Sequence, residues 1–151
     1  MKEVLKQVSE LKLSYSPKVK PSDREKITSS KDAYKIFLES WDEATIYLTE
    51  QCKVMLLNRA NRVVGIHTLS IGGVTGSIVD PRIVFALTLV SPANQLILCH
   101  NHPSGNLTPS EQDIKITKKL KEAGSFLDIE VVDHLIISPE GYYSFSDNGL
   151  I

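Results

Sequence analysis

Three short stretches, KVMLL at residues 53–57, QLILC at 95–99 and HLIIS at 134–138, constrain the fold more than anything else in the chain. Val54–Leu57 is too short for a comfortable helix and too continuously apolar for a strand with one wet face. It reads as a central strand buried on both sides, QLILCH reads as another buried strand, and DIEVVDHLIIS reads as a strand. Helical patterns lie between these strands. Ser30 is a candidate cap for a helix over 31–41 whose apolar positions are Ala33, Ile36, Phe37 and Trp41. Asp80 and Pro81 supply an N-cap and an N1 proline for RIVFALTLV. Thr108-Pro109-Ser110-Glu111 has the form of a capping box, so a helix is expected from 109 to Gly124, burying Ile114, Ile116 or Thr117, Leu120 and Ala123. NRAN at 58–61 is a turn that returns VVGIHTLSI as an antiparallel partner of the first strand, and PEG turns the last strand into YYSF. The order α, β-hairpin, α, β, α, β, β predicts an α/β domain with a mixed sheet between helices.

The N-terminal residues 1–28 read as an arm outside this pattern, with the domain at 29–151. Val4, Val8 and Leu11 are helically spaced, which predicts a short helix over 2–12, while SYSPKVKPSD reads as extended because each proline disfavours helix before it. The arm carries +3 against −4 for the remainder, within a net charge of −1. That balance lacks the basic footprint of a nucleic-acid binder, and the arm has no clustered arginines or aromatics. It is expected to pack on the domain or on a second copy, which makes a homodimer conceivable. No stretch approaches the roughly 18 apolar residues of a membrane span, and MKEVLKQVSE scatters charge where a signal peptide would be apolar. The expected compartment is therefore the cytoplasm, where Cys52 and Cys99, both inside apolar runs, are expected as reduced core residues.

The chemistry concentrates in LILCHNHPSGNLTPSEQD, residues 96–113. In an extended chain, residues i and i+2 point the same way, so His100 and His102 project together from a strand end. Pro103 keeps His102 extended, Ser104-Gly105 turns the chain, and the following helix returns Ser110 and Asp113 on one face. Two neutral imidazoles and a carboxylate suit a zinc ion with an open fourth position, the arrangement of catalytic sites. Such a site needs a carboxylate to move the proton of the attacking water. Glu50, at the mouth of the first central strand, is best placed, with Glu39 and Glu43 as alternatives. Ser110 would offer a hydroxyl to the oxyanion of an attacked carbonyl. Asp133-His134 fits either a pair in which Asp133 orients a ligand imidazole or an ordinary buried strand-end hydrogen bond, and both residues stay outside the expected site. GGVTGS fits either a backbone that an extended substrate approaches closely or a tight turn.

The pattern Glu50, His100-x-His102, seven residues, Ser110, two residues, Asp113 resembles the JAMM signature of the JAB/MPN metalloproteases, and HNHPSGNLTPSEQD looks like their RadC branch. The resemblance covers roughly residues 28–151, including EQCKVMLLN, DPRIVFAL and DHLIIS. It implies a three-layer α/β/α, cytidine-deaminase-like fold with His100, His102 and Asp113 as zinc ligands, Glu50 as acid/base and Ser110 as oxyanion partner. The implied activity is zinc-dependent hydrolysis of a peptide or isopeptide bond in a protein or peptide with an extended chain end. It further implies the short form, without the helix-hairpin-helix module that gives many RadC-like proteins their DNA-repair label. Two other readings compete. MPN-type domains also serve as non-catalytic scaffolds, though those usually lose ligands that are all present here. A metal-dependent HNH nuclease would spread its three residues along a ββα-metal fold rather than place them in one tripeptide.

Overall fold

The computed structural model describes residues 6–72 and 79–151. It contains α1 (Ser30–Ser40), β1 (Gln51–Leu57), β2 (Val63–Ile71), α2 (Pro81–Val90), β3 (Gln95–Asn101), α3 (Glu111–Ser125), β4 (Glu130–Ser138) and β5 (Gly141–Ser144). The strands form one mixed sheet in the order β2-β1-β3-β4-β5. β1 runs antiparallel to β2 and β3, and β5 antiparallel to β4. β3 and β4 are parallel, which requires a crossover, and α3 supplies it. The continuously apolar strands are therefore the inner ones, as their composition predicts.

Alternation along each strand divides the core in two. Met55, Leu57, Ile97, Cys99, Leu135 and Ile137 pack with Ala33, Phe37 and Trp41 of α1 and its end. Cys52, Val54, Leu56, Leu96, Leu98 and Val131 pack with Val84 and Phe85 of α2 and Leu120 of α3. Helices thus cover both faces, giving the three-layer α/β/α architecture with a mixed sheet. Cys52 and Cys99 are free, buried thiols on opposite faces. Among the described residues, no helix is long and apolar enough to cross a membrane.

Three local expectations are corrected. The cap of α1 is Ser29 rather than Ser30: its side chain accepts from Asp32 N, and the Asp32 carboxylate accepts from Ser29 N at 3.2 Å. Ser30 has Ala33 three residues on, which cannot reciprocate. In the same way α3 begins at Glu111, capped by Ser110 with Asp113 reaching back, not by Thr108. The Asn106 side chain accepts from Thr108 N at 3.0 Å and keeps that stretch out of the helix. Gly124 lies inside the last turn of α3, buried, and the left-handed residue after the helix is Asp128 with φ 53°. A Cβ at 124 would run into the carbonyl oxygen of Ile129, so glycine is needed there for close approach of helix and strand.

The helix expected over 2–12 falls partly outside the described residues, and 6–12 form no α-helix. Leu11 and Leu13 are 92% and 84% exposed, so an apolar stripe there has nothing to pack on, and so short a helix is marginal in water. The arm meets the domain further on, where Arg62 Nη1 donates to Arg24 O at 2.7 Å and Val63 N to Glu25 O at 2.8 Å. GGVTGS lies almost wholly outside the described residues.

Candidate metal centre

His100 is the penultimate residue of β3 and 3% exposed, paired in the ladders with Cys52 of β1 and Ile136 of β4. His102 follows the strand. Its turn is closed by Gly105 N donating to His102 O at 2.9 Å, with Gly105 at φ 80°, a conformation that favours glycine. The capping box of α3 then sets Asp113: Asp113 N donates to Ser110 Oγ at 3.1 Å, and Ser110 N donates to Asp113 Oδ2 at 2.8 Å. The two residues expected as oxyanion donor and ligand are thus also the pair that starts the helix.

These elements converge. His100 Nε2 and His102 Nε2 are 2.9 Å apart, and Asp113 lies 3.2 Å from the first through Oδ1 and 3.6 Å from the second through Oδ2. Glu50 stands on another side, with one carboxylate oxygen and one nitrogen of each imidazole all within 4.8 Å of one another. Among the described residues, Glu50, His100 and His102 form the one such group of His, Cys, Asp and Glu, and Asp113 lies 3.2 and 3.6 Å from the two histidines.

The donor set fits a metal. His102 Nδ1 faces the Asn106 carbonyl oxygen at 2.5 Å, which can only accept, so the neutral ring carries its proton there and Nε2 presents a lone pair. Two ligands about 2.0–2.2 Å from a tetrahedral zinc are roughly 3.3 Å apart. The separations of 2.9, 3.2 and 3.6 Å bracket that value. Without a cation these acceptors must share protons: the hydrogen bond to Asp113 raises the His102 pKa against its burial. Burial raises the Asp113 pKa, yet the His100 and His102 imidazoles that face it outweigh that and hold the carboxyl well below its ordinary range. Cys52 is not in that group, and burial first, with Glu50 and Asp113 nearby, pushes its thiol pKa up.

Three contributors escaped the sequence reading. Asn101, fully buried, accepts from Gln51 N at 2.7 Å and donates to Ile46 O at 2.7 Å and Thr49 O at 2.9 Å, tying down the chain on either side of Glu50. An asparagine set between two histidines in an apolar strand was the signal. His134, left outside the expected site, contacts His100, with Nε2 2.8 Å from His100 Nδ1, and Thr117 contacts His134 in turn. Asp133 does not orient a ligand imidazole. Its carboxylate accepts from Ser144 Oγ at 2.6 Å, Ser146 N at 3.0 Å and His134 N at 2.7 Å, holding the β4–β5 corner. Glu39 and Glu43 are not in the cluster, and His67 sits exposed on β2.

Comparison with known proteins agrees with this geometry. The RadC-like JAB domain profile matches residues 27–150. A UPF0758 protein of Flavobacterium johnsoniae is 51% identical over 125 residues, covering 83% of this chain and 53% of that protein. One from Caldanaerobacter subterraneus is 42% identical over 127 residues, 79% of this chain and 53% of its own. A third, from Clostridium beijerinckii, is 41% identical over 126 residues, 83% and 54% respectively. The chain spans about half the length of the curated relatives it matches. With histidines at a strand end, an aspartate in the first turn of a helix and a profile match over residues 27–150, the chain belongs to the RadC-like JAB domain family.

Proposed function

We propose that the chain is a zinc-dependent hydrolase of the JAMM class that cleaves a peptide or isopeptide bond. The observation that carries this reading is the triangle of His100 Nε2, His102 Nε2 and the Asp113 carboxylate, with a second carboxylate, Glu50, close by. His100, His102 and Asp113 would hold the ion. When bound, zinc supplies a Lewis acid that brings the pKa of its water to about 7. Glu50, half-buried and held by the Asn101 clamp, takes a proton from the attacking water and delivers it to the departing nitrogen. The Ser110 oxygen accepts from Asp113 N, which leaves its own hydroxyl hydrogen for the oxygen of the attacked carbonyl.

The sheet supports an extended substrate. β2 is an edge strand, its Ile71 pairs with Gln51 next to Glu50, and Ile71 is 68% exposed. A chain laid along this edge would bring its end to Glu50.

The test is a panel of peptide and isopeptide substrates incubated with the zinc-loaded protein, with and without chelator. Chelator-sensitive cleavage that Glu50→Ala abolishes while zinc is retained is the expected result. Bound zinc with no cleavage across the panel, together with stable capture of a panel member, replaces the enzyme by a scaffold. Chelator-sensitive plasmid nicking that is lost in His102→Ala would replace the protease by a nuclease.

A further inference from the structure

Behind His100 runs a chain of hydrogen bonds whose direction is set from its far end. The Thr117 hydroxyl lies 2.7 Å from the main-chain carbonyl oxygen of Asp113 and 2.6 Å from His134 Nδ1. A carbonyl oxygen only accepts and a hydroxyl has one hydrogen, so that hydrogen goes to Asp113. Thr117 Oγ1 must then accept from His134 Nδ1. A neutral imidazole protonated at Nδ1 has a bare Nε2, and His134 Nε2 lies 2.8 Å from His100 Nδ1. His100 Nδ1 is therefore the donor, and the neutral His100 ring presents a lone pair at Nε2, the atom that faces His102 and Asp113.

We propose that Thr117 and His134 are positioning residues that fix the tautomer and ring orientation of His100, so that Nε2 is offered to a metal. The proposal rests on the metal reading of the site. His102 receives the same instruction directly from the Asn106 carbonyl, whereas His100 receives it through two side chains from the Asp113 carbonyl. Asp113 thus acts twice, offering its carboxylate to the front of the site and its main-chain oxygen to the rear. Thr117, His134 and His100 are 2%, 1% and 3% exposed, so water does not compete for these bonds. His134 also stacks on Phe145, with ring centroids 4.5 Å apart, and so cannot rotate away. A neutral relay orients the ligand without the negative charge that a carboxylate partner would add.

Two measurements test this. Long-range proton–nitrogen NMR of the native, metal-free protein should show Nδ1 protonated in both His100 and His134, and a bare Nε2 in His134. Zinc affinity, read by competition with a chromophoric chelator, should fall about 10- to 100-fold in Thr117→Val, which keeps the shape and loses the acceptor, and return close to native in Thr117→Ser. A proton on His134 Nε2 overturns the relay, as does a Thr117→Val protein that binds zinc as tightly as the native chain. If Thr117→Val fails to fold, the native spectrum alone decides. A native chain that shows both expected tautomers yet binds no zinc keeps the relay and removes the metal reading.

Discussion

His100 and Asn101 are adjacent on one strand, equally buried, and face opposite sides of the sheet, yet their polar atoms end differently. On the α1 side the polar groups at this strand end are satisfied within the protein. Asn101 makes three hydrogen bonds to main chain, and the Asp133 carboxylate collects three of its own. On the α3 side, two imidazole nitrogens and a carboxylate point at one another. Saturated polar groups buried in a fold specify its shape. Acceptors gathered with too few protons among them are held together by the surrounding structure, and such places are where a fold does chemistry. One strand end carries both, and the α1 side serves the other by fixing the chain around Glu50.

Substitutions on the two sides should therefore fail in different ways. The largest effect is expected from Asp113→Ala, which removes a proposed ligand: zinc affinity and cleavage should both be lost, while stability falls by only about 1 kcal/mol from the weakened cap. Glu50→Ala should keep its zinc and lose about 10² to 10⁴ in turnover, as removal of an acid/base does. If zinc left with Glu50 and stayed without Asp113, the two carboxylates would have to exchange roles. On the saturated side, Asn101→Ala takes this partner from three main-chain groups, one of them buried, and should cost about 3 kcal/mol in urea unfolding of the metal-free protein. Turnover should fall with it, because the segment before Glu50 loosens. Gly124→Ala, which forces a methyl group onto the Ile129 carbonyl, should cost about 1–3 kcal/mol and leave zinc affinity untouched. The smallest effect belongs to the arm: Leu11→Ser with Leu13→Ser should change unfolding by no more than about 0.5 kcal/mol, since both side chains are already in water.

What the sequence disclosed follows the range of its signals. Strand identity, the facing of His100 and His102 and the return of Asp113 depend on periods of two and three to four residues, which are local and readable. The cap positions were missed by one and two residues because Ser29-Ser30 and Thr108-Ser110 each offer two cap candidates. The choice falls to whichever carboxylate the surrounding loop lets reach back. His134 was legible as a residue but not as a neighbour. Its contact with His100 depends on the parallel register that sets Leu98 opposite His134 and His100 opposite Ile136, which no local pattern encodes. Thr117 became meaningful only once His134 was placed. The arm failed in the opposite direction: its local period was legible, but among the described residues Val8 and Leu11 stay exposed.

The central claim is that the acceptors of His100, His102 and Asp113 are gathered for a cation. Elemental analysis of the purified chain after zinc loading and desalting tests it most directly. About one zinc per chain is expected, and none in a His100→Ala, His102→Ala double variant that still unfolds cooperatively. A native chain that retains no zinc, or a double variant that keeps it, would contradict the claim.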